Sequence, residues 1–143
     1  MRYLPDRPFP PYAFIPGKHP HPEKPGGHME NTEVSGEKLT SFKTNEAYLF
    51  AVDLYNSKYY WESHVWWEYL WHLENRKGET ADFLKGLIKY AAGQIKEIMG
   101  QSDIAQGHFM RGRELLTPLG NQRHGLSLPT FIKNPSIIIL SAT

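Results

Sequence analysis

The distribution of proline constrains the fold of this chain more than any other feature of its sequence. Eight of the eleven prolines lie within the first 25 residues, none lies between residues 26 and 117, and the remaining three follow. Proline lacks an amide donor and disrupts the interior of a helix. We therefore predict three parts: an extended arm (1–43), a helical domain (44–117) and an irregular tail (118–143).

Capping residues and glycines divide the central segment into four helices. Thr44 or Asn45 is expected to cap the first helix, and Gly100 to stop the third. Short connections favour packing of neighbouring helices in one bundle. The predicted fold class is all-α: a compact bundle of about four helices with an extended, proline- and histidine-rich N-terminal arm. The predicted helices cover residues 46–54, 58–75, 81–99 and 103–117.

Two glycines in the third predicted helix indicate close helix packing. Gly86 and Gly93 lie two turns apart near its apolar face. Glycine inside a helix costs about 1 kcal/mol relative to alanine, so another helix is expected to approach closely there. In the tail, Ile137–Leu140 is strand-like by composition but has no evident partner strand. We expect that segment to pack on the bundle or to be disordered.

Composition excludes several classes of function. The chain has no cysteine, so it can form neither disulfides nor thiolate metal sites. The net charge is +1, and no basic stripe that could bind nucleic acid is present. Its longest aliphatic run, Ile137–Leu140, is far too short to span a membrane. The proline-broken start lacks the apolar run of a signal peptide, so a cytoplasmic location is the expectation.

The second predicted helix is the most unusual stretch, because all four tryptophans lie between residues 59 and 71. Apolar groups lie nearly all around it, which predicts burial on most sides. Core packing is one interpretation of these rings. A homo-oligomeric or partner interface and a small-molecule pocket between helices are the others. The candidate pocket or interface residues are Tyr60, Trp61, Trp67 and Trp71.

His64 and Glu68 are the candidate metal ligands on this helix. They are one turn apart and can contact the same ion. The alternative is a structural hydrogen-bonded pair, which the spacing alone favours because two ligands do not make a site. His72 lies one further turn away, about 12 Å from His64 along the helix, which is too far to share that ion unaided.

The N-terminal arm can supply the missing ligands. Its segment from Lys18 to His28 contains three histidines, and an irregular arm does not need histidine for packing. Folded over His64 and Glu68, an arm carrying His21 and His28 can complete a site of three or four ligands for a divalent ion of unknown identity. The alternative is a flexible polar arm, which the proline-rich composition predicts unaided.

The chain resembles domain-of-unknown-function family 309 across roughly residues 11–118. The matching pieces are Asn56–His64 with Glu68 and Trp71, then Phe83–Ala92, Leu115–Leu116 and, in the arm, Pro11–Gly17 with the histidines His21 and His28. The resemblance implies a small all-helical fold. It also implies a metal-dependent hydrolase, the activity with which the family has been labelled, with His64, Glu68, His21 and His28 at the positions of the family's histidines and acid.

This sequence departs from the family pattern at three positions. Val65 stands where an acid usually follows the helix histidine, and Lys85 and Lys89 stand where glutamines are usual. The first change removes a candidate ligand or general base, and a lysine beside a metal would repel it. The leading hypothesis is thus a metal-binding protein with hydrolysis as its implied activity, although no catalytic residue or substrate can be named. The alternative is a non-catalytic helical interaction module in which His64 and Glu68 form a structural pair.

Overall fold

The computed structural model describes residues 2–19 and 34–141. Its main elements are four helices, and each packs chiefly on the next along the chain. This confirms the predicted all-α bundle of about four helices. Within the described part of the chain, no helix combines the length and apolar character that crossing a membrane requires. The helices are α1 (Glu46–Asn56), α2 (Tyr60–Leu73), α3 (Glu79–Ile98) and α4 (Ser102–Leu116).

Local capping chemistry sets the helix ends. Oδ1 of Asn45 accepts a hydrogen bond from the amide of Tyr48 (3.0 Å), which caps α1 as one of the two predicted choices. The Asn45 amide group also donates to the carbonyls of Glu37 and Lys38, so the cap holds the preceding segment. Gly100 follows α3 with a φ of 76°, the left-handed conformation expected of a helix stop.

The most deeply buried helix is α1. All nine residues from Ala47 to Tyr55 are buried, whereas only six of the fourteen residues of α2 are. The other residues of α2 are half-buried, except for the exposed Glu68 and His72, which agrees with the prediction that α2 is buried on most sides. The burial of α1 is deeper because chain segments outside the bundle cover it: the N-terminal arm bonds to Asp53, and the C-terminal segment bonds to Tyr48, Tyr55 and Asn56.

Glycines allow α3 and α4 to approach closely, as predicted for Gly86 and Gly93. A Cβ added to Gly86 would lie 2.6 Å from the side chain of Leu116, and one added to Gly93 would lie 2.4 Å from the ring of Phe109. Gly112 of α4 lies opposite Gly86 and Tyr90 of α3 in the same helix contact. Because these glycines have no side chain, α3 and α4 can approach each other closely.

The segment after α4 contains regular structure that the prediction of an irregular tail does not include. A short 3₁₀ turn leads into a two-stranded antiparallel hairpin, β1 (Gln122–Arg123) and β2 (Leu126–Ser127), and then into α5 (Leu128–Lys133). His124 and Gly125 form the two-residue hairpin loop with φ angles of 47° and 83°. Positive φ at both positions matches the twist of paired strands, which is why so short a hairpin closes.

The last described residues pack on the bundle, which was one of the two expectations for this segment. Ile138 and Leu140 are buried while Ile137 and Ile139 are exposed, and Leu140 forms one antiparallel bridge with Leu126. The amide group of Asn56 donates to the carbonyl of Ile138 (2.8 Å), and its Oδ1 accepts from the Ile138 amide (2.7 Å).

The two described ends of the chain also meet. The amide of Leu140 donates to the hydroxyl of Tyr3 (2.8 Å), a contact between residues 137 apart in sequence. The arm and the C-terminal segment therefore contact each other as well as α1.

Replacing Gly112 with alanine is expected to destabilise the protein by about 1–3 kcal/mol through overpacking. Its Cβ would lie 2.8 Å from the buried ring of Tyr90 and 3.1 Å from the carbonyl oxygen of Gly86. Gly107, on the same helix with nothing within 4 Å of an added Cβ, is the matched control. Gly107→Ala should instead stabilise by about 0.5–1 kcal/mol. Urea denaturation of both variants measures the difference, and equal effects would contradict the close contact.

Stability is expected to fall as the pH drops through about 6.5, in part because of His124. Burial, with the Arg123 guanidinium as a lesser cause, lowers the pKa of His124 below its ordinary value of 6.5. The unfolded chain therefore takes up this proton first as the pH falls, which favours unfolding. Asparagine tolerates positive φ and does not titrate, so His124→Asn should show a smaller loss between pH 7 and about pH 5. Denaturation curves across that range test this, and an unchanged pH dependence in the variant would refute it.

Candidate functional site

A buried carboxylate on α1 holds the start of the N-terminal arm. Asp53 is only 1% exposed. Its Oδ1 accepts from the amide of Tyr3 (2.7 Å), and its Oδ2 accepts from the amide of Leu4 (2.8 Å) and lies 3.6 Å from Nε of Arg2. A buried carboxylate needs such partners, and hydrogen bonds to an ionised acceptor are strong. Asp53 therefore serves as an anchor for the arm.

A second buried carboxylate, on α2, holds the arm further along. Oε2 of Glu62 accepts a hydrogen bond from the amide of Phe14 (2.8 Å), and the Glu62 side chain is fully buried. Sequence reasoning selected Glu68 as the functional acid of this helix and passed over Glu62. The signal was available in the helical phase, because Glu62 shares a stripe with the buried residues Trp66 and Leu70, at intervals of four.

His64 lies on the other stripe of α2, at the edge of the arm. Its ring is half-buried, and Nδ1 lies 2.7 Å from the carbonyl oxygen of Trp61. Because a carbonyl only accepts, this bond assigns the proton of the neutral ring to Nδ1. The lone pair of the neutral imidazole then resides on Nε2, the atom available to bind a cation.

Glu68 and His72 continue this stripe but are exposed. Within residues 2–19 and 34–141, no hydrogen bond or ion pair joins His64 to Glu68, so the structural pair that the spacing favours does not form there. Nor does that part of the chain bring three histidine, aspartate or glutamate residues together in a group that could hold a metal ion. The helix alone supplies two candidate ligands.

The arm approaches His64 through a row of aromatic contacts. The ring of His19 lies 6.4 Å from that of Phe14, Phe14 lies 5.3 Å from Trp61, and Trp61 lies 5.6 Å from His64. His19 also accepts a hydrogen bond at Nδ1 from the amide of Ile15 (3.3 Å). The other two arm histidines, His21 and His28, fall outside the described residues, so the prediction that they complete the site stays a prediction.

A comparison with protein families now identifies the central part of the chain. The model of the family described as Domain of unknown function (DUF309) matches residues 48–107. Residues 48–107 are a DUF309 domain. This confirms the family resemblance, from the third residue of α1 into the first half of α4. A comparison with curated proteins finds no match.

The DUF309 match contains both anchoring carboxylates and the His64–Glu68 stripe, but not the arm. Asp53, Glu62, His64 and Glu68 all lie between residues 48 and 107. The amides that the two carboxylates bind belong to residues 3, 4 and 14, outside the match. The domain therefore carries buried acceptors whose partners come from the arm.

Most of the aromatic side chains of the DUF309 domain are core residues. Tyr60 is 7% exposed and Trp67 is fully buried, so neither presents a surface to a ligand or partner in this structure. Trp61 is half-buried beneath Phe14. Trp71 is half-buried and has the Lys85 ammonium 5.8 Å from its ring centroid. Of the four candidate pocket or interface residues, only Trp61 and Trp71 remain accessible in part.

Weakening the Asp53 anchor is expected to release the start of the arm. Asp53→Asn keeps the shape of the side chain but turns one acceptor oxygen into a donor that faces a backbone amide. We expect a loss of about 1–3 kcal/mol in unfolding free energy, and faster hydrogen exchange at the amides of Tyr3 and Leu4. Asp6→Asn, at an exposed position in the same arm, is the control and should change stability by less than about 0.5 kcal/mol. Unaltered exchange at Tyr3 and Leu4 in Asp53→Asn would show that the carboxylate does not anchor them.

Proposed function

We propose that this DUF309 protein binds a divalent metal ion at His64 and Glu68, with His21 and His28 of the arm completing the ligand set. The observation that carries the proposal is the hydrogen bond between Nδ1 of His64 and the carbonyl of Trp61. Metal-binding histidines characteristically donate their second ring N–H to a carbonyl or carboxylate, which fixes the tautomer and the ring orientation. His64 makes such a hydrogen bond through Nδ1, which leaves Nε2 as the nitrogen that can bind a metal ion.

The donor set fits a divalent ion of borderline character. Neutral imidazole and carboxylate are the ligands that zinc, manganese and ferrous iron share in proteins. Glu68 is exposed one turn after His64, so its carboxylate can turn towards the ion that Nε2 would bind. Glu62 is not offered as a ligand, because its carboxylate is buried and engaged with the Phe14 amide.

The arm is the source of the remaining ligands in this proposal. The bond between Phe14 and Glu62 holds the arm against α2, close to Trp61 and His64. His21 follows the described residue His19 by two positions in sequence. His28 follows seven residues later in sequence.

Metal-dependent hydrolysis is the activity that such a site would support. A bound divalent ion lowers the pKa of its water ligand and so supplies a nucleophile at neutral pH. In this chain, His64 and Glu68 would contribute by binding and orienting the ion, and the aromatic rings of Phe14 and Trp61 would shield one side of it from bulk water.

Metal content measured by mass spectrometry on untagged protein tests the proposal. We expect about one zinc, manganese or iron ion per chain after equilibration with each metal, and loss of that ion in the double variant His64→Ala/Glu68→Ala. His72→Ala is the matched control, since His72 is exposed on the same helix one turn further on. It should retain the metal.

Two outcomes would contradict the proposal. One is wild-type protein that takes up none of the three metals. The other is metal uptake that survives the double variant unchanged. Either result would favour the non-catalytic interaction module, for which sedimentation analysis of self-association is the next measurement.

A further inference from the structure

A surface groove lined by residues between Tyr90 and Pro135 combines apolar side chains with positive charge. It consists of two adjoining cavities, of about 480 and 330 Å³, between α4 and the segment that carries α5. Arg113 and Ile132 line both cavities and so lie where the two meet. Neither His64 nor Glu68 borders either cavity.

The positive charge of the groove comes from Arg113 and Lys133. Lys133 lines the first cavity together with Arg113, and residues 119–143 contain no aspartate or glutamate. The closest acid on α4, Glu114, is paired with Arg111 at 3.3 Å. Among the residues that the structure describes, no carboxylate lies within ion-pair distance of Arg113 or Lys133.

The hydroxyl of Tyr90 adds a neutral hydrogen-bonding group. Tyr90 of α3 lines the second cavity and is 2% exposed, and its hydroxyl makes no hydrogen bond to any residue in the described ranges. Burial raises the pKa of this hydroxyl, and the nearby Arg113 guanidinium opposes the rise. The phenol therefore stays protonated at neutral pH, close to the cation.

The remaining walls combine apolar residues with the polar side chains of Gln106, Thr117 and Asn121. Leu128 and Ile132 line the first cavity, and Phe109, Met110 and Ile132 line the second. Met110 is 63% exposed, an unusual degree of exposure for a large apolar side chain beside a cavity. An occupant of this groove would cover it.

We propose that this groove binds a small amphipathic acid, an unbranched or aryl carboxylate with an apolar body. Its carboxylate would bind to the planar fork of Arg113, with Lys133 and the Tyr90 hydroxyl as further donors. The guanidinium matches a carboxylate with two parallel hydrogen bonds, which a point charge does not. The apolar body would lie along Ile132 and Met110. The carboxylate is the source of specificity, since apolar walls alone would accept an alcohol of the same length equally well.

Octanoate is the probe, and 1-octanol is its uncharged counterpart. Titration of isotopically labelled full-length protein, followed through its amide resonances, gives both the affinity and the location of binding. The informative variant is Arg113→Gln. Its control, Arg111→Gln, removes the same charge two residues earlier on the same helix, from an arginine that is paired with Glu114.

The expected result is octanoate binding that shifts resonances of α4 and α5, weakens about tenfold in Arg113→Gln and changes less than about twofold in Arg111→Gln. Lys133→Gln should weaken binding by a smaller factor, about threefold, and provides an independent check if Arg113→Gln alters the fold. The metal site is read out separately by metal content, so failure of one proposal leaves the other standing.

Several results would overturn the inference. They are the absence of saturable octanoate binding, equal binding of 1-octanol, or the same loss of affinity in the Arg111 and Arg113 variants. Octyl phosphate that binds tenfold more tightly than octanoate would also overturn it, because the groove would then be a phosphate site.

Discussion

The fold depends on one buried charge, the Asp53 carboxylate, which accepts two backbone amides of the arm on the most deeply buried helix. An aspartate in that position would oppose folding if it stood alone, because desolvation of a carboxylate is far more costly than one hydrogen bond returns. The arm removes this penalty and covers the apolar surface of α1 at the same time. The bundle and the arm are therefore energetically a single unit, although the proline pattern separates them.

The second helix divides its polar groups between two environments. Glu62 shares the inward stripe with Trp66 and Leu70, whereas His64 and Glu68 share a more exposed one. Glu62 binds the arm. His64 and Glu68 face outward, and they are the residues proposed to bind a metal ion. A chain that needs both a docked arm and an accessible ligand pair can obtain them from one helix only if the two sets differ in helical phase.

Sequence reasoning succeeded where the signals are local and failed where they depend on the whole fold. Asn45 as a cap, Gly100 as a stop and the close contact at Gly86 all follow from backbone geometry within a few residues. The burial of α1 depends on segments far away in sequence, although its run of apolar residues on every face was a usable signal. The sequence does not predict the hairpin, because His124 adopts the positive φ that asparagine or glycine usually adopts at this position. Helical phase also places Glu62 on the buried stripe of α2, a signal that residue spacing alone does not give.

The bond between Leu140 and Tyr3 has a consequence for how the protein is made. A ribosome releases α1 long before the segment that covers one of its sides, which includes Pro135, Ile138 and Leu140. Until then, a helix with nine consecutive core residues has an uncovered apolar side. The nascent chain thus carries an exposed apolar surface until residues 135–140 have been synthesised and can cover α1.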